Sequence, residues 1–152
     1  MPKLDLAAIP LRTGTGYPPE FAGPLTGRAF QRLGDAGGLT QFGVNLCTLA
    51  PGAWASQRHW HENEDEFVMV ITGELVMIED DGEHVLRAGD CATHKAGVAN
   101  GHHLVNRSGA DATFLVVGTR AATERAHYPD IDMLALKDES GFRFIHRDGK
   151  PY

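Results

Sequence analysis

The sequence has few cysteines, and their positions match no common metal-binding or redox spacing. Cys47 and Cys91 are the only two in 152 residues, and neither lies in a CxxC or CxH pattern. A disulfide framework and a thiolate zinc site therefore have little support. Buried free thiols are the default expectation for such cysteines.

The sequence also lacks basic clusters and long apolar runs. Lys and Arg number 14 against 20 Asp and Glu, for a formal net charge of -6, and the basic residues stand singly. This pattern argues against nucleic acid as a partner. No segment approaches about 18 consecutive apolar residues, and residues 1–10 contain no signal-peptide core. We therefore predict a cytoplasmic protein with no membrane partner.

Motifs for covalent catalysis and for nucleotide binding are missing as well. No serine lies in a GxSxG context, and neither cysteine has an evident paired base. The glycine-rich N-terminal stretch contains no GxGxxG between a strand and a helix, and no Walker sequence. A covalent nucleophile, and nucleotide binding by those routes, are therefore not expected.

Glycine and proline are abundant by contrast, at 18 and 8 residues, which indicates many turns between short strands. An apolar run over residues 66–71 ends at Thr72-Gly73, and Asp80-Asp81-Gly82 predicts a hairpin turn. Further strands are predicted, at intervals of roughly ten residues, over residues 84–87, 91–94, 102–106 and 112–118. Such regular spacing predicts an all-β sandwich or barrel.

A chain of this length is expected to form one domain around one core. Residues 1–38 show no sustained periodicity and are predicted to be an irregular N-terminal arm. Residues 39–120 are predicted to form the barrel core, and residues 121–152 a C-terminal segment that packs on it. Within that segment, residues 121–125 are predicted as a helical turn and 142–146 as a last strand.

A histidine pair precedes the acidic segment and the apolar strand. His59 and His61 are two residues apart, so in a strand they share one face while Trp60 points to the other. Two imidazoles on one face supply half of a metal site. If the acidic segment turns the chain, Glu66 brings a carboxylate opposite them as a third ligand. An isolated HxH is more often a pair of surface histidines than half of a metal site, so the rest of the sequence pattern has to distinguish these two interpretations.

The spacing of glycines and histidines from Gly52 onward resembles the cupin superfamily. Its first motif, G(X)5HXH(X)3-4E(X)6G, is matched by Gly52, His59, His61, Glu66 and Gly73. Its second motif, G(X)5PXG(X)2H(X)3N, is matched by Gly89, Gly97, His102 and Asn106. The chain departs from these motifs by one extra residue after Gly52, by Lys95 in place of proline, and by two extra residues before His102. The resemblance spans residues 43–118 and is to small single-domain bacterial cupins.

This resemblance implies a double-stranded β-helix, or jelly-roll, barrel that holds one metal ion. The implied ligands are His59, His61, Glu66 and His102. Asp65 is set aside because only Glu66 leaves six residues before the motif glycine, so Asp65 is expected to be a loop acid.

The choice between two adjacent histidines rests on the second motif. His102 is preferred to His103 because three residues separate it from Asn106. Residues 102, 104 and 106 also share a strand face. His103 is then expected to point outward, as a surface or outer-layer residue.

Three imidazoles and one carboxylate suit divalent Fe, Mn, Ni, Cu or Zn and argue against Mg and Ca, which prefer oxygen ligands. Four protein ligands on an octahedral ion leave two positions for water, dioxygen or a bidentate substrate. Fold does not fix chemistry, because cupins include dioxygenases, isomerases, decarboxylases, lyases and plain binding modules. Two hypotheses stay open: a metal-dependent enzyme of dioxygenase, isomerase or lyase type acting on a small polar metabolite, and a non-catalytic ligand-binding or sensor module.

Two further expectations concern the barrel mouth and the oligomeric state. His94 and Lys95 are candidates for proton transfer and anion binding near the mouth, although such residues are more often structural or exposed. Resembling proteins often pair their N-terminal strands, and open sheet edges favour pairing, so a homodimer that uses residues 1–38 is expected.

Overall fold

Short strands joined by tight turns make up most of the regular structure in residues 3–152, which the computed structural model describes. In chain order the strands are β1 Arg12–Thr13, β2 Arg28–Arg32, β3 Phe42–Leu49, β4 Trp60–His61, β5 Glu66–Thr72, β6 Glu74–Glu79, β7 Gly82–Arg87, β8 Cys91–His94, β9 His103–Val105, β10 Ala112–Thr119, β11 Glu124–Tyr128, β12 Met133–Asp138 and β13 Gly141–Ile145. Helical structure is limited to the single turns α1 Pro19–Ala22 and α2 Leu33–Ala36 and to 3-10 turns at Leu6–Ala8 and Gly23–Leu25. No helix within residues 3–152 has the length and apolar character needed to cross a membrane.

The larger sheet has the strand order β1-β2-β3-β10-β5-β8, and all the pairings given for it are antiparallel. Its central strand is β10, in which Phe114 pairs with Cys47 on one side and Val70 on the other. Alternate side chains along these strands point inward, as the period of two requires. Leu49, Val70 and Phe114 are buried in the core as a result.

The second face is built from two sheets that meet at the histidine pair. One sheet has the order β7-β6-β9 and the other β13-β12-β11-β4. Isolated bridges join Trp54 to Val105 and His59 to His102, so the segment that leads into β4 runs antiparallel alongside β9. The two faces enclose the main hydrophobic core, a second cluster around Met133 lies among the C-terminal strands, and the predicted all-β jelly-roll barrel is confirmed.

Two motif residues have structural roles that explain their identity. Gly73 has a φ of +78°, and a side chain there would lie 2.9 Å from Ala112, so only glycine fits between β5 and β6. Asn106 is fully buried and donates to the carbonyl oxygens of Leu49 and Ala110. Its own side-chain oxygen accepts from the Ser108 amide. Asn106 therefore holds the turn that leads into β10.

The structure corrects the sequence analysis at both ends of the chain. The N-terminal arm is not irregular throughout, because β2 pairs with β3 over its whole length and extends the larger sheet. The helical turn predicted over residues 121–125 is wrong, because Glu124–Tyr128 form strand β11. β11 has paired strands on both sides, β4 and β12, and this pairing outweighs the preference of the local sequence for a helical turn.

Candidate metal centre

A cavity of about 580 Å³ lies between the two faces of the barrel. One wall comes from the larger sheet, with Asn45, Glu66 and Val116 among its residues, and the other includes His59 and Leu104. All four residues expected to bind metal line this one cavity: His59, His61, Glu66 and His102.

Three of those four residues present ligand atoms to a common point. Nitrogen atoms of His59 and His102 and a carboxylate oxygen of Glu66 all lie within 4.8 Å of one another. The bridge between His59 and His102 places the imidazoles side by side, and Glu66 opens β5 opposite them. His102 Nε2 is 3.1 Å from Glu66 Oε2. Donor atoms at this spacing can share one ion, since metal–nitrogen bonds are about 2.1 Å long.

Main-chain carbonyl groups orient two of the imidazoles. His59 Nδ1–H donates to the Gln57 carbonyl oxygen at 2.8 Å, and His102 Nδ1 lies 3.3 Å from the Asn100 carbonyl oxygen. The contact at Nδ1 leaves Nε2 of His59 available as a metal ligand, and Nε2 of His102 faces Glu66 Oε2. Metal-binding histidines are usually held in this way.

The site favours a neutral His59 and an ionised Glu66. Burial lowers the pKa of His59 to about 3, and the neighbouring His61 and His102 add to the effect. Burial alone raises the pKa of Glu66, but its hydrogen bond with His102 and the adjacent histidines outweigh burial and hold the pKa well below its ordinary value. A neutral imidazole and a carboxylate are the protonation states that bind a cation.

His61 lies beside this cluster, but its Nδ1 faces the carboxylate of Glu124. Its ring centre is 4.8 Å from that of His59 and 6.4 Å from that of His102. Its Nδ1 is buried without a hydrogen bond and lies 3.3 Å from Glu124 Oε1. Its ligand atoms group with those of Glu64 and Glu124, not with the first cluster. The predicted alternation holds, because the Trp60 ring points the other way and stacks on His127.

Glu124 is a feature of the site that the sequence analysis missed. Its carboxylate is buried and accepts hydrogen bonds from the backbone amides of Glu62 and Asn63, which fixes it beside His61. Strand pairing brings it there, because β11 pairs with β4. No local signal marked this residue, since its segment was predicted to be helical.

The other residues considered near the site differ in their exposure and contacts: Asp65, His94, Lys95 and His103. Asp65 is exposed and accepts from the Ala96 amide, as expected of a loop acid. His94 stacks on His102 with ring centres 3.5 Å apart, and burial lowers its pKa to about 4. Lys95 is exposed.

The prediction that His103 is a surface or outer-layer residue is wrong, because its side chain is buried. The Trp54 ring covers it, and its Nδ1 lies 3.1 Å from the Ser56 carbonyl oxygen.

The chemistry of the donor set fits a divalent transition metal. Ring nitrogens of His59 and His102 lie within 4.8 Å of a Glu66 carboxylate oxygen, and the third imidazole, His61, has its Nδ1 beside Glu124 and its Nε2 left for a metal. Mixed nitrogen and oxygen ligands of this kind suit Fe, Mn, Ni, Zn or Cu. Residues of the same cavity that stand outside the set, Glu64 and His94 among them, can contact a bound small molecule.

Comparison with known proteins identifies the family. The Cupin domain profile matches residues 45–118. No curated protein matches the chain. A solved structure from Silicibacter pomeroyi, described as a sugar phosphate isomerase from a cupin superfamily, is 56% identical over 99% of this chain and 96% of its own, with a TM-score of 0.96.

More distant structures share the fold alone. A protein from Acidithiobacillus ferrooxidans is 24% identical over 80% of this chain and 77% of its own, with a TM-score of 0.74. A polyketide cyclase from Streptomyces resistomycificus is 17% identical over 78% and 79%, with a TM-score of 0.64. With the barrel, both motifs and a 56% identical relative in agreement, the chain belongs to the cupin superfamily.

Proposed function

We propose that this cupin is a metal-dependent enzyme that isomerises a phosphorylated sugar. The observation that carries the proposal is one cavity that contains both a histidine and carboxylate donor set and separate groups able to transfer a proton. The name of the Silicibacter pomeroyi relative, a sugar phosphate isomerase, supports this reaction class.

We assign His59, His61, Glu66 and His102 as the ligands of one divalent transition metal. His61 joins the set through Nε2, because its Nδ1 faces Glu124. When bound, such an ion acts as a Lewis acid that polarises the carbonyl and the adjacent hydroxyl of a sugar. The set itself is compatible with Fe, Mn, Ni, Zn or Cu.

Two cavity residues outside this set supply the proton transfer in the proposal. Glu64 is held by hydrogen bonds from the Ala121 amide and from Lys137, both to the same carboxylate oxygen. His94 is mainly neutral near pH 7, because burial lowers its pKa to about 4. Both groups can therefore accept a proton from the substrate.

The proposed isomerisation requires no oxidant or reductant, because it only moves protons and a double bond within the substrate. The base takes the proton from the carbon that bears the hydroxyl group, and an enediol forms. The same proton, or one exchanged with water, then returns to the former carbonyl carbon. The hydroxyl proton ends on the old carbonyl oxygen, so an aldose becomes a ketose or the reverse.

Metal analysis combined with a substrate panel tests the proposal. Untagged protein is analysed for metal, then incubated with aldose and ketose phosphates and with Fe, Mn, Ni or Zn added separately, in deuterated water. We expect interconversion that Glu66→Gln abolishes and that the exposed control Glu83→Gln leaves intact. Loss of deuterium incorporation in Glu64→Gln or His94→Gln would identify the base. Saturable binding of sugar phosphates without turnover would favour the non-catalytic binding module instead.

We also propose that the enzyme is located in the cytoplasm. Both cysteines are free, and unpaired thiols are usual in a reducing compartment. Cell fractionation with antibody detection would contradict this if the protein appeared in the secreted fraction.

A further inference from the structure

One wall of the metal cavity carries two arginines. Arg28, Phe30 and Arg32 are alternate residues of β2, so they share a face, and all three line the cavity. The guanidinium carbons of the two arginines lie 5.3 and 5.8 Å from the centre of the Phe30 ring. Positive charge is therefore concentrated on the strand that forms the edge of the cavity.

Arg28 is half-buried yet has no counter-ion among residues 3–152, unlike the half-buried Arg58, which pairs with Asp80 and Asp130. Its Nη1 donates to the Ala55 carbonyl oxygen at 2.6 Å and its Nη2 to the Gly14 carbonyl oxygen at 3.0 Å. Its Nε is buried with no hydrogen-bond partner. Neutral carbonyl groups thus fix the guanidinium in place and leave its charge uncompensated.

Most other arginines have acidic partners, and the two in residues 3–152 that have none, Arg12 and Arg147, are exposed to solvent. Arg32 lies 3.6 Å from Asp35, and Arg107 binds both carboxylate oxygens of Glu83. A partly buried charge without a partner is costly, and burial accordingly lowers the pKa of Arg28. An anionic ligand in the cavity would remove that cost.

We propose that Arg28 is the anion subsite of the cavity and binds the phosphoryl group of the substrate. The choice of a phosphoryl group rests on the proposed function, whereas the need for an anion rests on Arg28 alone. A guanidinium has five N–H donors in a planar fork that suits phosphate oxygens. Two of its nitrogens already hold carbonyl groups, so the fork is oriented before a ligand arrives.

The subsite gives the substrate a direction. Its phosphorylated end lies against the β2 wall, and its carbonyl and hydroxyl end reaches the ligand set across the same cavity. Arg28 is then a specificity-determining residue, because an unphosphorylated sugar leaves the guanidinium charge unneutralised.

Phosphate binding to the protein as purified tests this subsite. Inorganic phosphate is titrated by calorimetry at constant ionic strength into wild type, Arg28→Met and the exposed control Arg107→Met, with the metal content of each measured first. Any phosphate bound to the metal is common to all three proteins. We expect at least tenfold weaker binding to Arg28→Met and no change for Arg107→Met. Equal binding to Arg28→Met and wild type, or no binding to wild type, would overturn the assignment.

Two additions keep the test decisive if Arg28→Met misfolds. Arg28→Lys retains the charge but loses the fork, and it is expected to bind phosphate several-fold more weakly than wild type. In zinc-loaded wild-type protein, the Nε–H resonance of Arg28 should shift on addition of phosphate and not of acetate. An unmoved resonance, or an equal response to acetate, would refute a phosphoryl subsite. Phosphate binding at Arg28 without turnover of any sugar phosphate would leave the subsite standing and contradict the isomerase.

Discussion

His61 Nδ1 lies 3.3 Å from Glu124 Oε1, across the pairing of β4 with β11. The carboxylate is itself fixed by two backbone amides, so it can hold the imidazole at one angle. A carboxylate behind a metal-binding histidine sets its tautomer and increases its basicity. We therefore expect Glu124 to position His61 when its Nε2 binds the proposed metal, because Glu124 is the group that faces Nδ1.

Glu124→Gln should weaken metal binding by about 10- to 100-fold, the usual effect of losing such a partner. The substitution retains an acceptor for one backbone amide, so the fold should persist. Competition with a chromophoric chelator measures the affinity, and circular dichroism reports the fold. Glu83→Gln serves as control because Glu83 is exposed and forms its ion pair with the exposed Arg107. An unaltered affinity in folded Glu124→Gln would refute the positioning role.

Glu66→Gln should lose most of the bound metal, while Asp65→Asn should retain it. Glu66 is adjacent to His59 and His102, whereas Asp65 binds the Ala96 amide outside the cluster. Elemental analysis of untagged proteins gives the stoichiometry. At metal concentrations about 100 times the dissociation constant, binding should add ~2.7 kcal/mol of stability to wild type. Retention of metal by a His59→Ala, His61→Ala double variant would show that the site is misassigned.

The two cysteines should differ sharply in reactivity. Burial raises the pKa of the Cys47 thiol to about 12, so almost none of it is thiolate at pH 8, whereas Cys91 is exposed. A chromogenic disulfide reagent should therefore modify one thiol per native chain and two after denaturation. Cys91→Ser should remove the fast phase. Rapid modification of both thiols in native protein would contradict the burial of Cys47.

Asn106→Ala should destabilise the fold by about 2–4 kcal/mol, because its loss leaves buried carbonyl groups without donors. The carbonyl oxygens of Leu49 and Ala110 lose their partner, and the Ser108 turn loses its acceptor. Denaturant unfolding gives the difference in free energy. Asn63→Ala is the matched control, because Asn63 is exposed and should change stability by no more than about 0.5 kcal/mol. Similar losses in both variants would contradict a special role for Asn106.

The protein should behave as a homodimer in solution, with a mass about twice 16.5 kDa by light scattering. β1 lies at the edge of the larger sheet, where its outer backbone groups are free to pair with a second copy. Deletion of residues 1–13 removes this edge and should yield monomers. A monomeric full chain would refute the N-terminal pairing.

Much of the barrel could be predicted because its strands carry local signals. The apolar run of β5 and the strands near residues 91–94 and 112–118 follow from periodicity and turn residues. The predicted ligands lie at one cavity because motif spacing reflects strand spacing, and their binding of metal stays a prediction.

The missed features depend on contacts that are distant in sequence. β2 reads RAFQR, and its inward face has an arginine on each side of Phe30, so no apolar alternation marks it. Glu124 meets His61 only through the pairing of β11 with β4. His103 is buried by Trp54, which reaches it through a bridge to Val105 that the sequence does not reveal.

The family profile covers only the middle of the chain, so some of the proposed functional residues lie inside the matched stretch and others lie outside it. Residues 45–118 contain all four proposed ligands, whereas Arg28 precedes this stretch and Glu124 follows it. A recombination event or a designed chimera could therefore exchange the flanks between cupins while the ion cage stays the same. Selectivity for phosphate through Arg28 and tuning of the metal through Glu124 would travel with those flanks, while the candidate bases Glu64 and His94 would stay with the core.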